Sequence, residues 1–326
     1  MRRMLLKTME NRKWDAAMLV CLASSIGEER QDCRPLTHRT LRRWVESGLL
    51  NGREWQGELE EGQEERVSAL LQRLEETKKL LARYEKRGYR VIVPSDKNWP
   101  KQLSALGALE PAFLFVRGNE QLFCGDKHVS VAGSRNIGEE AVRLSRQIGL
   151  EIAKHGRVLV SGGARGVDSV CQDAVLGSGG NALLFPAVCA GQLARRPACS
   201  AALEEGRLLL ACETLPDEPF SAPKALSRNH MIYAMGRPAL VVAARSGRGG
   251  SWRGAADCLK GGWSKVGVLL GRDADFDGCR DLETLGAHGI TVQEKKTIWP
   301  QIEALAQSPK RRAPQQTTLL PDMNKR

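Results

Sequence analysis

Three short stretches hold the residues whose types and spacing could do chemistry. In "VAGSRNIGEE", Gly133, Ser134 and Arg135 directly follow an apolar run. In "VLVSGGARGVD", a second apolar run ends on Ser161, Gly162 and Gly163, and Arg165, Gly166 and Asp168 follow. In "VVAARSGRGGSWRGAA", Gly247, Gly249, Gly250, Ser251 and Gly254 stand with Arg245 and Arg248. Glycine lets an anion approach bare amides, a helix N-terminus adds partial positive charge, and arginine adds a full charge with two-pronged geometry. One such junction can carry glycine merely to turn the chain. Three of them, each bearing glycine, serine and arginine, describe a crevice for phosphate groups.

A fourth stretch, "FSAPKALSRNHMIYAMG", has Arg228 and Asn229 begin a helix whose Met231, Ile232 and Met235 read as core. Arg228 either faces the crevice or closes a salt bridge, and sequence does not choose between the two. Asp168, at a helix start, reads as a cap. Other chemistries fail on particular residues. "GSRNIG" lacks the middle glycine of a dinucleotide fingerprint, and no acid follows the next strand to hold a ribose. No phosphate-binding P-loop is present, and Arg253 stands where a G-x-S-x-G elbow needs its last glycine. Nine scattered cysteines without a C-x-x-C pair read as small buried hydrophobes in a reducing compartment, not as a zinc site. The expectation is therefore of no catalytic residue, no cofactor and no metal.

The elements that must position these loops alternate along the chain. "YRVIVPSD", "AFLFVRG", "HVSVAGS", "RVLVSGG", "NALLFPA", "RLLLACE", "PALVVAA" and "KVGVLLG" read as strands, several apolar throughout and so buried on both faces. Helical segments lie between them. The pattern predicts an α/β fold with an extended Rossmann-like, doubly wound and mainly parallel sheet over 89–294, its core at 127–292. Residues 1–88 lack strand signals and predict a small helical N-terminal module. There, Thr37 is placed to cap a helix and 58–87 reads as one long amphipathic helix bearing Val67, Leu70, Leu74 and Leu81 on one face. Residues 295–326 turn polar and basic and predict a disordered tail.

The formal net charge of +11 favours polyanionic partners. "AAMLVCLASS" is the nearest candidate for a targeting segment, but Glu10 and Asp15 sit where a signal peptide avoids acids. It reads as a core-facing helix, and the expected location is cytoplasmic, with no membrane partner.

These motifs, in this order, resemble the DNA-processing protein A (DprA, or Smf) family over most of the chain. "RYEKRGYRVIVPSDKNWPKQLSALGALEPAFLFVRGNEQLF" resembles the family's lead-in, "VAGSR" its Gly-Ser-Arg loop and "SGGARGVD" its Ser-Gly-x-Ala-Arg-Gly signature. "LSRNHMIYAMG" is similar to its Arg-Asn helix start, and "GRGGSWRGA" to its last glycine loop, with Ser251 in place of threonine. The resemblance implies a non-enzymatic protein that binds single-stranded DNA, hands it to a RecA-type recombinase in DNA uptake or recombination, and forms a homodimer. It implies a DNA pocket drawing on Gly133, Ser134, Arg135, Arg165 and Arg228. It also implies a contribution from Arg195 and Arg196, although "CAGQLARRP" departs from the family's usual texture at that loop. The family's frequent winged-helix module has no counterpart here. "QTTLL", from Gln316 to Leu320, loosely resembles a sliding-clamp-binding peptide. The alternative is the related LOG branch of phosphoribohydrolases, read as a nucleotide sensor or as a module in a mobile-element or defence locus. There Gly254 falls where those enzymes carry their glutamate, which disfavours hydrolysis.

Overall fold

The computed structural model describes residues 15–24, 34–46, 63–187, 190–293 and 296–309. All eight predicted strands form, as β1 (Arg90–Ile92), β2 (Leu114–Gly118), β3 (His128–Ala132), β4 (Val158–Ser161), β5 (Asn181–Leu184), β6 (Leu208–Cys212), β7 (Ala239–Val241) and β8 (Val266–Leu270). A ninth, β9 (His288–Thr291), has no counterpart in the sequence pattern; its "HGIT" is short and contains a single large apolar residue. The sheet order is β1-β2-β6-β5-β4-β3-β7-β8-β9. The β1–β2 and β2–β6 pairs are antiparallel, and the others are parallel. Every residue of β3, β4 and β6 is buried; the polar ones among them, His128, Ser130 and Ser161, each hydrogen-bond a backbone carbonyl.

The connecting helices carry one apolar stripe each. In the helix Glu139–Lys154, Ala141, Leu144, Ile148 and Ile152 recur at helical spacing and are buried against the sheet. Arg143, Arg146 and Leu150 lie on its exposed side. The chain winds outward from β3 through β4 and β5 to β6, then returns to the other side of β3 for β7 and winds the opposite way. Loops leaving β3 and β7 therefore diverge, which opens a crevice at the carboxyl edge between them.

The N-terminal helices Ala16–Ala23, His38–Glu46, Gln63–Leu71 and Leu74–Glu85 share a second core with the sheet's outer edge. Strand alternation explains how "AFLFV" serves both. Leu114 and Val116 enter the main core, while Phe113 and Phe115 face the N-terminal helices. Asp15 and Thr37 cap the first two helices, accepting from the amides of Met18 (3.0 Å) and Thr40 (3.2 Å). The single long helix expected over 58–87 is interrupted: within its described part, the chain turns at Gln72 and Arg73. Val67 and Leu70 are fully buried on one side of the break, and Thr77 donates back to the Arg73 carbonyl (2.9 Å) on the other.

The predicted tail begins too early. Residues Trp299–Gln307 form a helix whose Trp299, Ile302 and Leu305 are buried in the main core, Trp299 stacking on His155 at 4.3 Å. Polar neighbours at 293–297 hide this three-residue apolar periodicity. The rest of the tail, with the 316–320 peptide, lies outside the described residues. Among the described residues no helix is long and apolar enough to cross a membrane. Six of the seven described cysteines are buried and Cys124 is exposed.

Candidate anion-binding crevice

The crevice between the β3 and β7 loops has a volume of about 900 Å3. Gly133, Ser134, Arg135 and Asn136 form one wall, and Arg245 with the run Gly247 to Arg253 forms another. The helix Ala222–Met235 begins at Ala222, ahead of the start expected at Arg228, and supplies Arg228 and Asn229 from its middle, while Phe220, Ala164 and Asp168 add to the lining.

Charge here is strongly one-sided. Arg135, Arg245, Arg248 and Arg253 are exposed, and none has a carboxylate within 4.0 Å among the described residues. The single acid on the wall, Asp168, is taken by Arg228 (Nη1 to Oδ2, 3.6 Å). Gly247 and Gly249 have φ of 61° and 85°, and a Cβ at either position would meet nothing within 4 Å, so bare left-handed backbone faces open space. Gly249 also begins the helix Gly249–Gly261, whose N-terminus has no side-chain cap; its first amides are left for an anion.

The second glycine stretch works differently from its expected role. Ser161 is fully buried and donates to the Val131 carbonyl (2.9 Å), tying β4 to β3. A Cβ on Gly162 would lie 1.4 Å from Arg228 Nη1, so this glycine makes room for the protein's own guanidinium and not for a phosphate. At Gly163 the Leu193 side chain stands 2.8 Å from a Cβ, and at Gly166 the Ser134 carbonyl stands 2.2 Å away. None of these four residues lines the crevice. Arg165 is exposed beside it and donates to Asn136 Oδ1. Arg195 and Arg196 are exposed but lie outside the lining, beyond β5.

Arg228 does both things that its sequence left open: it lines the crevice and closes a salt bridge, at 6% exposure. Burial holds Arg228 below the usual guanidinium range and Asp168 above the usual carboxylate range, each partly offset by the other's charge. Asp168 is not the helix cap. The cap position of the helix Val167–Gly177 is Gly166, and Asp168, two residues on, accepts from the Ala164 amide (3.4 Å) and pins the β4 loop. Ser251 Oγ donates to the Gly133 carbonyl (2.7 Å), and Tyr233 OH donates to the Ser251 carbonyl (2.7 Å). The first bond locks the two arginine-bearing walls to each other, and the second ties them to the helix that bears Arg228. Gly250 sits against Asn229, and Gly254 against Tyr233, whose ring lies 2.7 Å from a Cβ at that position.

Three lining residues are not marked as ligand contacts by the sequence pattern: Arg253, which there serves only to exclude a hydrolase elbow, Phe220 and Trp252. Phe220 is 47% exposed, with the Arg135 guanidinium 5.2 Å from its ring centroid. Trp252 carries a buried indole N–H with no partner. Trp252 at least lies within the third glycine stretch, whereas nothing in the loop "ETLPDEPF" distinguishes Phe220 locally.

Comparison with known proteins agrees with this architecture. The family model described as DNA recombination-mediator protein A matches residues 90–302. The DNA processing protein DprA of Bacillus subtilis (strain 168) is 29% identical over 105 residues, 32% of this chain and 35% of that protein. The match thus spans about a third of that relative's length. Two solved structures share the fold. DNA processing protein A of Streptococcus pneumoniae has a TM-score of 0.61 at 23% identity, covering 78% of this chain and 90% of its own. The Helicobacter pylori protein, described for its single-stranded DNA binding mode, has a TM-score of 0.55 at 24% identity, covering 67% and 95%.

Proposed function

The chain belongs to the DNA recombination-mediator protein A family, and from that premise we propose that it binds single-stranded DNA in the crevice through backbone phosphates, without breaking a bond. The observation that carries this reading is the set of four arginines without acid partners around the β3–β7 crevice. A polyanionic strand releases counterions on meeting such a surface, and the left-handed glycine loop lets its phosphates approach amides. Binding without cleavage is supported by the lining, which has no histidine, cysteine or tyrosine among the described residues; its Ser251 hydroxyl is engaged with the Gly133 carbonyl, and the one lining carboxylate that could serve Ser134 as a base, Asp168, is paired with Arg228. A glutamate at position 254 would have to displace Tyr233. The proposal extends, on the family resemblance, to delivery of the strand to a RecA-type recombinase and to a homodimer.

The test is binding of a labelled single-stranded oligonucleotide across a salt series, with duplex DNA and free nucleoside monophosphates as competitors. Four phosphate contacts at about 0.7 each give a log–log salt slope of about −3, and each of Arg135→Ala, Arg248→Ala and Arg253→Ala should reduce its magnitude by about 0.7. Tight binding of mononucleotides with no grip on the oligonucleotide would overturn the reading in favour of a nucleotide sensor.

A further inference from the structure

Phe220 lines a crevice rich in arginine, yet nearly half of its surface is exposed. One side of the ring carries the Arg135 guanidinium at 5.2 Å, the geometry of a cation–π contact. A planar cation on an otherwise open phenyl ring is half of a stack, and an unpaired base has the flat π-surface that would complete it.

The loop that carries Phe220, residues 213–221, is tied down from the N-terminal module. His38 Nε2 donates to the Glu213 carbonyl (2.9 Å) at the start of the loop. In its middle, Arg87 forks onto Asp217, Nη1 to Oδ2 at 2.5 Å and Nη2 to Oδ1 at 2.9 Å. Arg87 itself stands 5.4 Å and 5.8 Å from the Tyr84 and Tyr89 rings. Gly191 admits this bridge: a Cβ there would lie 2.5 Å from Arg87 Nη2 and 3.0 Å from Asp217 Oδ1. Beyond Phe220, Ser221 caps the helix that bears Arg228.

We infer that Phe220 is a stacking platform for one unpaired base, and that Arg87 is a positioning residue that holds the platform over the crevice through Asp217. The inference rests on the single-strand reading and deepens it. Phosphate contacts alone attract any strand, whereas a stacking surface needs a base whose face is free, as duplex bases are not. The N-terminal helices thereby shape the crevice without touching the ligand.

The experiment compares two probes of equal length and charge, a labelled oligothymidylate and a chain of abasic sugar–phosphate sites. The wild-type protein is expected to prefer the first by about five- to a hundred-fold. Phe220→Ala should abolish the preference, its loss on the oligothymidylate exceeding any loss on the abasic chain that follows from removing the ring beside Arg135, while Phe220→Trp retains it. Arg87→Met and Asp217→Asn should each reduce the preference severalfold, and neither should add to Phe220→Ala in the double variant. Equal loss on both probes, or unchanged preference in Phe220→Ala, overturns the platform. Retained preference in both Arg87→Met and Asp217→Asn overturns the positioning role. A wild-type protein that holds neither probe would overturn the single-strand reading itself, and this inference with it.

Discussion

Replacing Arg228 by methionine removes a guanidinium of similar length and leaves Asp168 buried without a counter-charge. Both side chains are almost wholly inaccessible, and they approach to 3.6 Å. Removing one partner of such a pair costs about 3–5 kcal/mol, because the remaining charge must be neutralised or carried unpaired. The double variant Arg228→Met, Asp168→Asn should recover part of that loss, with a coupling of about 0.5–3 kcal/mol. The pH dependence has a defined sign. Asp168 already sits above its ordinary value of 3.8 through burial, and loss of Arg228 raises it further. The folded variant then holds a proton that the unfolded chain releases. Its relative stability is fullest below pH 3.8 and is lost as pH rises through the raised folded value, so the gap from wild type widens toward neutrality. Urea denaturation followed by tryptophan fluorescence at several pH values measures this by linear extrapolation. A loss under about 1 kcal/mol at neutral pH, or no recovery in the double variant, would refute the buried-pair account. Gly162→Ala is the companion test, since its Cβ would collide with Arg228 Nη1 at 1.4 Å. It should be severely destabilising in the wild-type background and less so beside Arg228→Met.

Three further outcomes follow from the packing. Ser161→Ala leaves the buried Val131 carbonyl without its donor and should cost about 1–3 kcal/mol in denaturation, with no change in oligonucleotide affinity. His128 is fully buried, donates from Nε2 to the Leu122 carbonyl (2.7 Å) and has no partner at Nδ1. Burial holds it below 6.5, so the unfolded chain binds its proton first; stability should fall as pH drops below 6.5, and His128→Gln should flatten that part of the profile. Trp299→Ala should cost about 3–5 kcal/mol if the helix Trp299–Gln307 is integral to the core, and a negligible shift in the denaturation midpoint would show that it is not.

Much of the scaffold was legible because its signals are local. A strand buried on both faces is mostly apolar, and "VLV" and "LLLAC" announce that without reference to neighbours. Arg135, Arg245 and Arg248 were legible for the same reason: each lies in a glycine-rich turn at the carboxyl end of a strand, where parallel sheets place their ligands. The helix Trp299–Gln307 was lost because three apolar residues in a polar run are too few to stand out, although Trp299, Ile302 and Leu305 suffice to anchor it in the core.

Sequence alone determined the doubly wound sheet, the loops that meet at its switch point and the sign of the field there, since each depends on short-range pattern or on summed charge. Tertiary structure decided what each glycine and serine is for. Gly162, Gly166 and Ser161 read as ligand contacts because a bare turn looks the same whether an anion or another part of the chain approaches it. Only the fold shows that Arg228, far along the sequence, fills the space beside Gly162. By the same logic, Phe220 gained its place over the crevice from Arg87 and Asp217, two residues 130 positions apart that no local pattern relates.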